Sequence, residues 1–242
     1  MRIDVAFTPG EPPHAAVAIV VDVLRATTTI AHALHQGYAR VLACGGLDRA
    51  RELAGQLGHG AVLAGERECV RPEGFAMGNS PREFADGDPR GETLVLSTTN
   101  GTRAVVAAAS RADTVLVGSL ANLTACAAAA ARSARRAKGD VLVQCAGVSG
   151  QFAIDDAYTA GRYVAELRVW LAEWEATDAA QAAEAIAASF PSSVEGLGAS
   201  QSARNLRAAD LFDDVRYCAR ESVLDVVPAV GDVDGDVALI TP

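Results

Sequence analysis

The stretch Leu94-Val95-Leu96-Ser97-Thr98-Thr99-Asn100-Gly101-Thr102 is a short apolar run that stops abruptly at small polar residues and a glycine. A helix-favouring run from Arg103 to Ser110 follows it directly. This order predicts a strand, a tight loop and a helix start, where free backbone N–H groups and the helix dipole favour an anion. The alternative is an ordinary capped loop, because serine, threonine and asparagine are common N-cap residues. Repetition of the pattern along the chain favours the anion site.

Composition limits the classes of protein to which this chain can belong. Half of its 242 residues are hydrophobic and 21% are charged, so it can bury a substantial core. The formal net charge of −9 argues against general nucleic-acid binding, which needs a basic face. Five scattered cysteines without metal-binding spacing fit a reducing compartment. With no membrane-length apolar run and no signal-like start, the sequence predicts a cytoplasmic protein without a membrane partner. A homo-oligomer is left open.

Short apolar runs alternate with longer helical patterns as far as Glu173. This alternation predicts an α/β fold with a mostly parallel, helix-covered sheet. The predicted strands are Ile3–Phe7, Val17–Asp22, Val41–Cys44, Ala61–Ala64, Thr93–Ser97, Thr114–Val117 and Val141–Cys145. The predicted helices are Thr27–Gln36, Leu47–Leu57, Thr102–Ser110, Asn122–Arg136 and Ile154–Glu173.

The pattern changes after Glu173, and no linker rich in serine or glycine separates two domains. We therefore predict a single domain, residues 1–242, whose helical C-terminal addition from about residue 175 to residue 242 covers a sheet edge or the site. Gly231–Asp236 is predicted to be a turn before the last strand. The other predicted elements here are helices at Thr177–Ser189, Ser200–Ala208 and Leu211–Arg220, and short strands at Val226–Val227 and Val237–Ile240.

Ligands of open α/β sheets bind beyond the carboxyl ends of the strands. Five of the predicted strands end in small, polar or charged residues, whereas their other ends carry ordinary loop residues. This asymmetry predicts one composite site. Its candidate substrate-binding residues are Thr27, Asn79, Ser80, Thr98, Thr99, Asn100, Gly101, Thr102, Ser119, Asn122 and Gly147.

Two strand ends carry an acid close to an arginine: Asp22 with Arg25, and Glu66 with Arg67. A local ion pair with Thr27 as N-cap is the structural explanation of the first pair. The functional interpretation makes Asp22 a metal ligand and Arg25 a phosphate clamp, because guanidinium matches phosphate bidentately. Two such pairs favour the functional interpretation, since surface salt bridges contribute little to stability. All four are therefore candidate catalytic residues.

Asp155 and Asp156 fall in the first turn of the predicted helix Ile154–Glu173, where carboxylates also stabilise the helix dipole. Adjacent helical residues point about 100° apart. We therefore expect at most one of the two to bind a metal while the other caps or faces solvent. Together with Asp22 they are the candidate metal ligands, and such oxygen donors suit Mg²⁺.

Short motifs follow one another along the chain, and the ordered set is more specific than any member. It comprises Asp22-Val23-Leu24-Arg25-Ala26-Thr27-Thr28-Thr29, Gly65-Glu66-Arg67, Gly74-Phe75, Gly78-Asn79-Ser80-Pro81, Thr98-Thr99-Asn100-Gly101-Thr102, Gly118-Ser119, Asn122, Ala146-Gly147, Asp155-Asp156 and Ala160-Gly161. With Ser202, Leu206, Asp213-Asp214, Tyr217-Cys218 and Val227-Pro228 near the end, it resembles the 2-phosphosulfolactate phosphatase family. The resemblance runs from about residue 2 to residue 240.

The resemblance implies a Mg²⁺-dependent phosphatase that releases phosphate from (2R)-2-phospho-3-sulfolactate, a step toward coenzyme M. This small phosphorylated acid also carries carboxylate and sulfonate, so the acidic chain must supply local cations. Mg²⁺, the two candidate catalytic arginines, and Arg103 or Arg204 are the candidates. In the implied mechanism, Mg²⁺ on Asp22 or Asp156 polarises a phosphoryl oxygen, and Glu66 orients or deprotonates the water.

Two observations keep other functions open. The family pattern has an acid after its Gly-Phe motif, where this chain has Ala76; loss of a metal ligand there would weaken metal binding or change the substrate. Fold and site parts are also reused among functions. The alternatives are a phosphatase of another small phosphorylated acid, a non-hydrolytic isomerase or lyase, and a phosphometabolite-binding protein. Converging carboxylates favour catalysis, because a mere anion receptor gains nothing from them.

Overall fold

The computed structural model describes residues 1–10, 13–86, 89, 92–171 and 173–242. The seven strands predicted before residue 146, and the five helices between and after them, all form, which confirms the α/β class. The strands are β1 (Arg2–Ala6), β2 (Ala15–Val21), β3 (Arg40–Cys44), β4 (Ala61–Gly65), β5 (Thr93–Ser97), β6 (Ala112–Gly118) and β7 (Val141–Cys145). The helices are α1 (Ala26–Gln36), α2 (Leu47–Leu57), α3 (Gly101–Ala109), α4 (Leu123–Ala137) and α5 (Ile154–Trp170).

Strand β2 shows why the sheet is covered on both faces, because every one of its residues is buried. Val17, Ile19 and Val21 pack against α4 and α5, whereas Ala18 and Val20 belong to the cluster that contains α1 and α3. A strand buried on both faces needs a continuous apolar run rather than an alternating one. The sequence Ala15–Val21 meets that requirement.

The chain beyond Trp170 differs in part from the prediction. Helix α5 ends at Trp170, three residues earlier than predicted, because the chain turns to pair Glu175 with Arg2. The strand expected at Val226–Val227 begins later, and the turn is confined to residues 235–236. The elements here are β8 (Glu175–Ala176), α6 (Asp178–Ala188), α7 (Ser193–Gly198), α8 (Gln201–Ala208), α9 (Phe212–Cys218), β9 (Ala229–Asp234) and β10 (Val237–Thr241).

The terminal hairpin β9–β10 lies in the middle of the sheet. The described strands are ordered β4-β5-β3-β10-β9-β6-β2-β7-β1-β8, and the hairpin pairs antiparallel with β3 on one side and with β6 on the other. It therefore joins two parallel blocks. The helical C-terminal region is confirmed, and its strands extend the sheet at two places: β8 lies at the edge beside β1, and β9–β10 lie in the middle. Ala238 and Ile240 are fully buried with Val41 and Ala43 in one apolar cluster.

Three successive antiparallel pairings separate β3 from β6. The strands of the block β4-β5-β3 therefore run antiparallel to the strands of the block β6-β2-β7-β1-β8. The carboxyl ends of β2 and β5 nevertheless meet. A Cβ on Gly101, after β5, would lie 2.8 Å from Oδ2 of Asp22, after β2. Glycine at 101 is thus required for this approach. We attribute the meeting of the two blocks to the twist that accumulates across a sheet.

The central position of the hairpin predicts a large effect of trimming its buried face. Ile240→Ala is expected to lower the free energy of unfolding by about 2–5 kcal/mol, because it leaves a cavity between the sheet and the helices α1 and α3. Val233→Ala, on the part of β9 where the side chain is 36% exposed, is the matched control and should change it by less than about 1 kcal/mol. Urea unfolding followed by circular dichroism measures both. Equally small effects would contradict a central hairpin.

Candidate active site

A cavity of about 500 Å³ opens where the loops after β2, β4, β5 and β7 meet the helices α5 and α8. Four of the five polar strand ends identified in the sequence therefore come together, and the end of β6 does not. The lining residues are Asp22, Leu24, Arg25, Glu66, Arg67, Glu68, Cys69, Asn79, Thr98, Thr99, Asn100, Gly147, Val148, Ser149, Asp155, Asp156, Ser202, Asn205 and Leu206.

Three buried carboxylates, Asp22, Asp155 and Asp156, share this cavity. The oxygens of Asp156 accept hydrogen bonds from the backbone N–H groups of Val23 (3.0 Å) and Gly147 (2.9 Å). Oδ1 of Asp155 is buried and has no hydrogen-bond partner. The sequence predicts that at most one of the two adjacent aspartates binds a metal and that the other caps the helix or faces solvent. Both are buried, so neither faces solvent. Instead, Asp156 fixes two backbone segments, while Asp155, which also lines the cavity, keeps one buried oxygen without a partner.

Burial and mutual repulsion disfavour the charged forms of these carboxyls. Burial, followed by the charges of Asp155 and Glu66, raises the pKa of Asp22 from 3.8 to about 7. Burial raises the pKa of Asp155 from 3.8 to about 6. Burial and both neighbouring aspartates also raise the pKa of Asp156 well above its ordinary value. A bound cation would offset this repulsion.

The donor set fits Mg²⁺ rather than a metal held by protein alone. Aspartate oxygens are the hard ligands that this ion prefers, and one buried oxygen of Asp155 has no hydrogen-bond partner in the protein. In the described part of the chain, no three acidic, histidine or cysteine side chains are grouped so as to hold an ion. Mg²⁺ usually takes one or two carboxylates and completes its shell with water and substrate phosphate.

Arg25 is 4% exposed and forms an ion pair that the sequence did not predict. Its Nη1 donates to Oδ2 of Asp214 in α9 at 2.7 Å, and its Nη2 donates to the carbonyl of Cys69 at 3.0 Å. The structural explanation of a local ion pair between Asp22 and Arg25 is therefore wrong, because the acidic partner of Arg25 is Asp214. Three of the five N–H groups of a guanidinium remain after these two bonds.

Arg67 has a different environment from Arg25. Its guanidinium donates to the carbonyls of Glu66 (2.6 Å) and Gly45 (2.9 Å) and to Oγ of Ser97 (3.1 Å). These bonds hold the carboxyl ends of β3, β4 and β5 together. Most of its donors are thus bonded to the protein, which leaves Arg25 as the better placed of the two for an anion.

Glu66 is fixed by the two loops on either side of it. Its Oε1 accepts from the backbone N–H (2.9 Å) and the hydroxyl (2.8 Å) of Thr99, and its Oε2 accepts from the N–H of Cys69 (3.1 Å). Asn100 in the same loop accepts a bond from the N–H of Ser149. The loop after β5 therefore orients a carboxylate at the cavity wall.

Several predicted site residues lie behind the cavity and do not line it. The hydroxyl of Thr27 bonds to the backbone of Asp22, and that of Thr102 bonds to the carbonyl of Cys44. Ser80 donates to Asp214. The side chain of Asn122 accepts from Ser119 and closes the β6–α4 turn. Arg103, Arg204 and Ala76 are exposed outside the cavity.

The cavity also contains residues that the sequence did not single out as site residues. Cys69 and Ser149 come from turns in which both have positive φ, which no local motif announces. Ser202 and Leu206 lie four residues apart on α8 and thus share one face of that helix. That spacing is a signal which sequence analysis could have used.

The fold and the cavity define an α/β protein with a small-molecule site at the carboxyl ends of its strands. The chain belongs to the 2-phosphosulpholactate phosphatase family, whose model matches residues 6–232, and this confirms the resemblance noted in the sequence. The family name denotes a phosphoric monoester hydrolase. In the described ranges, no helix combines the length and apolar character needed to cross a membrane.

Relatives from several organisms match over nearly their whole length, and each is called a probable 2-phosphosulfolactate phosphatase. The Thermus thermophilus protein is 41% identical over 234 residues, which cover 95% of this chain and 94% of the relative. The Thermotoga maritima protein is 33% identical over 229 residues, with 94% and 95% covered. The Clostridium acetobutylicum protein is 30% identical over 232 residues, with 94% and 97% covered.

The raised pKa of Asp22 predicts that Asp22→Asn stabilises the metal-free protein at neutral to alkaline pH. With a pKa of about 7 when folded and 3.8 as its ordinary value, the folded state retains a proton that the unfolded state loses. The native state therefore loses stability as pH rises from about 4 to 7, by at most about 4 kcal/mol. Asparagine does not ionise, so the variant does not lose this stability as pH rises. Its amide oxygen can still accept a hydrogen bond from the N–H of Ala26.

Urea unfolding in EDTA between pH 4 and pH 8 measures the difference between the two proteins. The free energy of unfolding of Asp22→Asn, relative to that of the wild type, should increase as pH rises. This difference should level off above about pH 7. Asp232→Asn, at an exposed position of β9, is the control for a lost negative charge. A stability difference that is constant across this pH range would contradict the repulsive environment of Asp22.

Proposed function

We propose that this protein is a phosphatase of a small phosphorylated acid, and that it hydrolyses (2R)-2-phospho-3-sulfolactate to 3-sulfolactate and phosphate with Mg²⁺. The observation that carries this proposal is the joining of three buried carboxylates and the buried Arg25 in one cavity. The names of the relatives support the same substrate. A place in coenzyme M formation and a cytoplasmic location accord with this activity and are part of the proposal.

Asp22 and Asp155 are the residues that would hold Mg²⁺. The unpartnered oxygen of Asp155 supports this assignment, whereas both oxygens of Asp156 already accept backbone hydrogen bonds. Asp156 remains a candidate ligand through its free lone pairs. Bound Mg²⁺ would supply Lewis-acid polarisation of a phosphoryl oxygen.

The protein groups bind and orient the reacting atoms. The remaining N–H groups of Arg25 bind phosphoryl oxygens, since guanidinium and phosphate match bidentately. The hydroxyl of Thr98 and the side-chain amide of Asn100 line the same wall and bind further oxygens, whereas the donors of Thr99 hold Glu66. Because these donors are already in place before the reaction, they stabilise charge that develops as the ester bond breaks.

Glu66 is the proposed group that orients the attacking water. Its two oxygens are held by Thr99 and Cys69, so its remaining lone pairs have a fixed direction. Water forms the new P–O bond while the bond from phosphorus to the substrate oxygen breaks. Glu66 takes one proton of the water, the leaving alkoxide takes a proton from solvent to become the alcohol of 3-sulfolactate, and Glu66 then returns its proton to solvent.

A second candidate substrate class follows from the size of the cavity. A volume of about 500 Å³ admits phosphorylated acids larger than a three-carbon one. Ser202 and Asn205 on α8 line one side without bringing a charge. Hydrolysis of another phosphorylated acid would use the same carboxylates and arginine, so only the substrate would change.

Release of inorganic phosphate from racemic 2-phospho-3-sulfolactate, with Mg²⁺ and with EDTA, tests the proposal. Phosphoglycolate, phosphoglycerate and phospholactate run alongside. We expect Mg²⁺-dependent release that is fastest with the sulfonate, and at least a hundredfold loss of kcat in Asp22→Asn, because a cation ligand is lost. Arg204→Lys, exposed and outside the cavity, is the control and should keep full activity.

Each other outcome has a definite meaning. Release from a sulfur-free acid alone would retain the phosphatase and discard the substrate. Conversion without phosphate release would indicate an isomerase or lyase. Tight binding without turnover, strengthened by Asp22→Asn, would indicate a phosphometabolite-binding protein. Neither turnover nor binding of any of the acids would refute the proposed function.

A further inference from the structure

Asp214 in α9 is a fully buried carboxylate whose two oxygens are both engaged. Its Oδ2 accepts from Nη1 of Arg25 at 2.7 Å, and its Oδ1 accepts from the hydroxyl of Ser80 at 2.7 Å. Three segments far apart in sequence therefore meet at one side chain: the loop after β2, the loop around residue 80, and a C-terminal helix. A charge in such a place needs a partner of opposite charge, and Arg25 supplies it.

The contact determines how Arg25 faces the cavity. Arginine side chains have many rotamers, and the bonds to Asp214 and to the carbonyl of Cys69 restrict Arg25 to one of them. Arg25 also lines the cavity that contains Asp22 and Asp155, and three N–H groups of its guanidinium remain after these two bonds. A guanidinium without its own partner there would be free to pair with the cavity carboxylates. Asp214 is instead the acidic partner of the arginine.

We propose that Asp214 is a positioning residue, which holds the Arg25 guanidinium in the orientation that binds the phosphoryl group, and that Ser80 holds Asp214. The identity of the anion rests on the proposed function, whereas the coupling of the two side chains does not. If the contact between Asp214 and Arg25 only supported the fold, its removal would reduce stability. It would then have no specific link to anion binding through Arg25.

A double-mutant cycle separates these two roles. The variants are Asp214→Asn, Arg25→Gln and their combination, and the measured quantities are kcat/KM and the Kd of inorganic phosphate in the presence of Mg²⁺, by calorimetry. We expect each single change to weaken phosphate binding at least tenfold. The combination should be no weaker than Arg25→Gln alone, because Asp214 acts through that arginine. Additive losses would overturn the proposal.

Neighbouring residues supply the controls. Asp213→Asn removes the adjacent carboxylate of the same helix, which is 62% exposed and pairs with Arg216, and it should leave both quantities within twofold of the wild type. Ser80→Ala should weaken binding severalfold in the wild type and not in Arg25→Gln. If Asp214→Asn does not fold, the Ser80→Ala cycle gives the decision.

The experiment also separates failure of this inference from failure of the proposed function. A wild-type protein that releases phosphate from no acid, but binds phosphate with the non-additive pattern, would refute the phosphatase and retain the role of Asp214. Phosphate binding that Arg25→Gln leaves unchanged, or no phosphate binding at all, would overturn the role of Asp214, since the arginine would then have no anion to meet.

Discussion

Repulsion among the three buried carboxylates of the cavity is the constraint on which the rest of the site depends. Asp22, Asp155 and Asp156 lie out of water, where like charges repel more strongly. The start of α5 and the backbone N–H groups of Val23 and Gly147 offset part of that repulsion. The remainder is what makes the cavity receptive to a divalent cation and, through it, to a phosphorylated acid.

The two cavity arginines have separate tasks, and the C-terminal region explains the difference. Arg67 holds strand ends together, whereas Arg25 is held by Asp214 and keeps donors for a ligand. Helix α8 thus contributes to the cavity wall, and helix α9 supplies the partner of Arg25. The β9–β10 hairpin that follows them completes the sheet, so the C-terminal third is integral to both fold and site.

Local sequence patterns predicted much of the fold and the core of the site. The polar run after β5 and the acid after β4 were predicted to meet because neighbouring parallel strands bring such ends together. Asp22 after β2 was assigned to the same site by that reasoning, although β2 belongs to the block of opposite direction. The position of β9–β10, the partner of Arg25 and the turn formed by Ser119 and Asn122 were not predicted. Each depends on contacts between residues distant in sequence, or on whether a capping residue faces a cavity, and neither is encoded in a local pattern.

The central claim is that buried carboxylates of raised pKa form the cation site, and calorimetric titration with Mg²⁺ tests it most directly. Titration at pH 6.5 in two buffers of different ionisation enthalpy measures the protons released on binding. Metal ligands must be deprotonated, and Asp22 and Asp155 have pKa values of about 7 and about 6. The account predicts binding with release of protons, which diminishes in Asp22→Asn. Absence of Mg²⁺ binding, or binding without proton release, would contradict it.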